Sequence, residues 1–122
     1  MKVNIGPYRP IKGQKVDIHI DKWDTWSMDH TLAHIIVPML KQLKATKHGI
    51  PNEFVIEGEP WEDSEARWDS VLDKMIWAFE QIIRDDDSMF YESSNKEAYT
   101  NYNRQIQEGL DFFGKYYRSL WD

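Results

Sequence analysis

Two histidines and three carboxylates have the types and spacing best suited to chemistry in this chain. His30 and His34 are four residues apart, which puts both on one face of a helix. Asp69 and Asp73 repeat that spacing, and Glu80 returns to nearly the same side one or two turns later. If the two faces met, two imidazoles and two or three carboxylates would converge. Such a set holds zinc or another divalent metal and suits metal-assisted hydrolysis of nucleotides. The string HExxH and the pair ExxH are both absent, and so is cysteine. The plainer expectation is that His30 and His34 pair with Asp69 or Asp73, or face water, with no metal or other cofactor bound.

A second constellation is basic. Lys41, Lys44 and Lys47 recur every third residue beside His48, and Arg9, Lys12 and Lys15 lie in the N-terminal segment. With Tyr8, Trp26 and His30 they compose a candidate ligand site, Tyr8, Arg9, Trp26, His30, Lys41 and Lys44. Charge and ring stacking would hold a small nucleotide there. Against it stands a simple alternative: lysines near a helix C-terminus complement the macrodipole, and that end of a helix repels anions. Tryptophans 23, 26, 61, 68, 77 and 121 form a third set, in which Trp26 and Trp77 fall off the main helical stripes. Such rings cover a hairpin, line a pocket or meet another subunit. Asp85, Asp86 and Asp87 lack the glycine and terminal glutamate of a calcium loop, and read as a solvated connection.

The elements that must position these residues follow from periodicity. Residues 2–5 and 15–20 alternate, with Val3, Ile5, Val16, Ile18 and Ile20 on one face. Pro7, Pro10 and Gly13 punctuate the stretch between them, so residues 1–23 read as an antiparallel hairpin. Two strands alone are marginal, so the hairpin is expected to lean on the helices. Helices are expected over 25–48, 64–84 and 96–120. Met28, Leu32, Ile35, Ile36, Met39, Leu40 and Leu43 give the first its apolar stripe, and Pro38 predicts a kink near 35–37. Phe54 to Ile56 reads as a short extra strand. Gly109 and Gly114 weaken the third helix unless a neighbour packs close. The expected fold is mainly α, a three-helix bundle with a small N-terminal β-hairpin, forming one domain over 1–122.

Composition narrows the function classes. The net charge of −6 argues against a general nucleic-acid binder. No apolar run approaches the ~20 residues that span a bilayer, and the N-terminus lacks an apolar signal segment. Aromatics make up 14% of the chain, enough to fill a small core and leave rings for a pocket or partner surface.

Three stretches taken together resemble a known group. They are DTWSMDHTLAHIIVPMLKQLKATKHG at 24–49, ARWDSVLDKMIWAFEQI at 66–82 and GLDFFGKYYRSLWD at 109–122. They are similar to small proteins of tailed bacteriophages that carry no assigned activity. The resemblance covers about half of the chain and implies expression in the cytoplasm of an infected bacterial host. It also implies an accessory or counter-defence role. The resulting expectation is a non-enzymatic protein that binds a host protein or a small signalling nucleotide. The alternatives are the metal-dependent nucleotide hydrolase built on His30, His34, Asp69, Asp73 and Glu80, and a homo-oligomeric assembly factor.

Overall fold

A computed structural model describes residues 1–84 and 96–122. The acidic run Asp85–Asp87 lies outside the described residues. Strands β1 (Lys2–Ile5) and β2 (Val16–His19) pair antiparallel, with Val3 opposite Ile18 and Ile5 opposite Val16. Directly opposed residues share a face, so these four aliphatic side chains stand together. The intervening loop closes through Gly6 N–H to Lys15 carbonyl at 2.8 Å and Gly13 N–H to Arg9 carbonyl at 2.8 Å. Gly13 adopts φ +74°, a conformation glycine takes without steric penalty.

The helices are α1 (Met28–Thr46), α2 (Trp61–Arg84) and α3 (Lys96–Tyr116). The fold is mainly helical, a three-helix bundle with a small two-stranded sheet at its N-terminus. Helix α2 is the middle member. Its Trp68, Leu72, Met75, Ala78 and Phe79 are buried and form the centre of the core. Both α1 and α3 pack on α2, yet among the described residues no Cα pair between α1 and α3 lies within 8 Å. The bundle is therefore open along one side.

Two expectations about packing need correction. The hairpin does not lean on the helices: among the described residues, neither strand has a Cα within 8 Å of any helix, and Val3, Ile5, Val16 and Ile18 are 40–58% exposed. Helix α1 is also rotated relative to the stripe read from its sequence. It buries Ala33, Val37 and Leu40, with Ile36 and Leu43 partly covered, while Met28, Leu32, Ile35 and Met39 stay exposed. The small Ala33 explains the choice, because a methyl lets the α1 and α2 backbones approach where leucine would hold them apart. Helix α1 runs through Pro38 without interruption.

The α1–α2 connection holds a 3₁₀ helix at Asn52–Phe54, not the expected strand at 54–56. The Phe54 ring sits 5.2 Å from Trp68 and 5.3 Å from Tyr116, so its ring is drawn into the core instead of a sheet. Arg67 then fixes the start of α2. It donates to the Phe54 carbonyl at 2.8 Å and forks onto both oxygens of Glu59, which also accepts from Ser64 Oγ at 2.8 Å. The guanidinium holds the Glu59 carboxyl down to about 2, with the Ser64 hydroxyl adding to the effect.

Candidate functional site

The seam between α1 and α2 carries most of the residues singled out for chemistry. Lys41 and Lys44 of α1 and Lys47 just past its end recur every third residue and track along α2, which runs antiparallel to α1. Lys41 Nζ lies 3.4 Å from Glu80 Oε2, Lys44 Nζ 2.6 Å from Asp73 Oδ1, and Lys47 Nζ 2.6 Å from Asp69 Oδ1. The hydrogen bond to Asp73 raises the Lys44 pKa above its ordinary value. Lys47 differs from the others in burial. Its side chain is only 6% exposed, and Nζ also donates to the Lys44 carbonyl at 3.3 Å. The contact with Asp69 is an ion pair off the direction of a hydrogen bond, which leaves Asp69 Oδ1 buried without an aligned donor.

The histidines take no part in this ladder. His30 Nε2 is 2.8 Å from the Ile83 carbonyl. A carbonyl only accepts, so Nε2 carries the proton and donates. His34 meets His30 edge to face, with ring centroids 5.0 Å apart. The expected pairing of these imidazoles with Asp69 or Asp73 is thus replaced: the carboxylates belong to lysines, and His30 is held by backbone. Among the described residues, no group of three or more His, Asp or Glu side chains stands close enough to share a metal ion. Binding one across His30, His34, Asp69, Asp73 and Glu80 would require breaking the three lysine pairs first.

The candidate nucleotide residues are dispersed. Tyr8 and Arg9 sit in the hairpin loop, Trp26 follows a 3₁₀ helix at Lys22–Thr25, and His30, Lys41 and Lys44 lie on α1. No hydrogen bond, ion pair or ring contact joins Tyr8, Arg9 or Trp26 to the α1 residues among the described residues. Lys41 and Lys44 are committed to Glu80 and Asp73. Trp77, expected off the stripe, meets Tyr102 edge to face at 5.8 Å and so covers α3 rather than the hairpin.

What the sequence reading missed is an apolar groove. It lies where α1 and α3 fail to meet and has a volume of about 930 Å³, with Leu32, Ile36, Met39, Phe113, Tyr117 and Leu120 in its walls. Leu32, Ile36 and Met39 belong to the apolar stripe expected to give the first helix its buried face. The available signal was the width of the apolar surface of α1. Ala33 and Val37 alongside Met28, Leu32, Ile35 and Met39 make it wider than a single neighbouring helix can cover. A smaller cavity of about 290 Å³ lies beside the α1–α2 connection, among Lys47, Ile50, Trp68 and Trp121. There His48 donates its backbone N–H to Asp122, and His48 Nδ1 is 2.8 Å from Asp122 Oδ2, closing the C-terminal segment over the connection.

No protein-family model, curated protein or solved structure matches the chain. Among the described residues, no helix is long and apolar enough to cross a membrane. The chemistry of the molecule therefore rests on its own surface. Among the described residues, that surface includes polar groups paired along the α1–α2 seam and large exposed apolar side chains on the hairpin, on α1 and at the groove.

Proposed function

We propose that the protein is a non-enzymatic binding protein that acts by docking onto a host protein. Its setting would be the cytoplasm of a bacterium infected by a tailed phage, as the resemblance of its helical segments implies. One observation carries the reading: large apolar side chains stand exposed in sequence-continuous order from the hairpin through α1. Trp23, Trp26, Met28, Leu32, Ile35 and Met39 follow one another along that path, and Trp26 is 76% exposed. Monomeric soluble proteins rarely expose contiguous apolar patches beyond a few hundred Å², and tryptophan is enriched where partners bind. The polar candidates support the same reading, because His30, Lys41, Lys44, Asp69, Asp73 and Glu80 are each engaged by a partner within the fold.

Expression of the tagged chain in a bacterial host, followed by mass spectrometry of what it retains, tests this. The expected result is one host protein held in stoichiometric amount by the wild type and released by Trp26→Ser. Turnover of a nucleotide with an added divalent metal, abolished by His30→Ala with His34→Ala, would replace it with the hydrolase reading.

A further inference from the structure

We propose that the N-terminal hairpin is an arm that seats its apolar face in the α1–α3 groove of a second copy of this chain, reciprocally, in a two-fold dimer. The inference rests on the binding reading above and names the occupant of one part of that surface. Trp23 and Trp26 are not among the groove's lining residues and are left for a further partner.

The first argument is stability. A two-stranded hairpin is marginal in water unless its apolar face is covered. Here Val3, Ile5, Val16, Ile18 and Ile20 are all exposed, and no helix of the same chain approaches either strand among the described residues. The root of the arm is fixed: the chain passes from β2 into the 3₁₀ helix Lys22–Thr25, where Asp21 N–H donates to Asp24 Oδ2 at 2.8 Å. The same chain holds an apolar groove with no charged residue in its walls. Each copy thus lacks what the other offers, a cover for the arm and a filling for the groove.

Charge supports the match. Residues 1–23 carry five Lys and Arg against two Asp, a net +3, while the described residues of the helical body, 24–84 and 96–122, carry ten against fifteen, a net −5. A basic arm approaching an acidic helical body is attracted, and two like-charged arms or two like-charged bodies repel. Reciprocal exchange closes the assembly at two, because each arm and each groove is then used.

Light scattering or sedimentation equilibrium on the full chain, across a wide concentration range, tests the proposal. The wild type is expected at twice 14.6 kDa. Ile18→Lys on the arm and Met39→Glu in the groove are each expected to give a monomer with unchanged helical circular dichroism. A mixture of the two variants is expected to associate at least tenfold more tightly than either alone. In the mixed dimer one intact arm meets one intact groove, and the introduced lysine faces the introduced glutamate. Val16→Lys and Leu32→Glu repeat each half should the first pair fail to fold. A wild-type monomer at every concentration overturns the proposal, as does a dimer that survives both variants or one that mixing does not restore. A monomer that still retains a host protein would end the dimer and leave the binding reading standing. A dimer that retains nothing and turns over a nucleotide would do the reverse.

Discussion

The α2–α3 contact and the outer face of α1 are built from the same kinds of residue and end in opposite conditions. At the first, Gly109 lies so close to α2 that a Cβ placed there would stand 2.4 Å from Ala78 Cβ and 2.5 Å from the Lys74 carbonyl oxygen. Phe79 and Phe113 meet edge to face at 4.9 Å, and Tyr102 Oη hydrogen-bonds Gln81 at 3.0 Å. At the second, Met28, Leu32, Ile35 and Met39 recur at spacings of three and four, as a buried stripe would, yet face outward. Helical periodicity says which residues share a face. It does not say whether a neighbour arrives to cover that face, and a glycine that admits a close neighbour is what separates the two cases.

The largest expected effect lies on the packed side. Leu72 is 0% exposed at the centre of α2, and Leu72→Ala should cost about 2–5 kcal/mol by urea denaturation, as buried large-to-small changes do. Phe113→Ala should cost less than a fully buried phenylalanine would, since that ring is half-buried and borders the groove. Equal losses at Leu72 and at exposed Met39 would erase the distinction between the two faces.

The glycines of α3 sharpen it. Gly109→Ala should destabilise by about 1–3 kcal/mol, because backbone and a buried methyl stand where the new Cβ must go. Gly114→Ala meets open space and should stabilise by about 0.4–1 kcal/mol through the entropy of the unfolded chain. Opposite signs from one substitution in one helix are the diagnostic outcome in paired thermal melts.

A pH titration probes the start of α2. The Glu59 carboxyl is held at about 2 by Arg67 and Ser64, below its ordinary 4.5. A depressed folded-state pKa means that the stabilisation is complete above 4.5 and is lost as the pH falls from there toward 2. Glu59→Gln should flatten that acid limb in denaturant midpoints measured from neutral pH downward. Asp122, lowered by its hydrogen bonds to His48, contributes in the same sense. The smallest effect belongs to the hairpin tip: Ile11 is 99% exposed, and Ile11→Lys should leave the unfolding midpoint within about 0.5 kcal/mol of the wild type.

The sequence by itself determined the two strands and the three helices, but not the 3₁₀ turn at Asn52–Phe54, where a strand was expected. Alternation in KVNI and KVDIHI placed both strands, and the three- and four-residue periods placed three helices, because both signals are local and follow from backbone geometry. The exposed Pro38 did not break α1, since a nineteen-residue helix packed on α2 tolerates the loss of one internal hydrogen bond. The candidate site was legible only in part. Lys41, Lys44, Asp69, Asp73 and Glu80 do share a seam, but as lysine–carboxylate pairs. Spacing along one helix cannot tell which of two polar partners a carboxylate on another helix will meet. Only the tertiary structure decided three further things: that α1 turns Ala33 and Val37 inward, that α1 and α3 stand apart over a groove, and that the hairpin is left uncovered. Each depends on how closely two backbones approach. That distance is set by small residues such as Ala33, Ala78 and Gly109 at the contacts, whose importance is invisible until the neighbour across them is known.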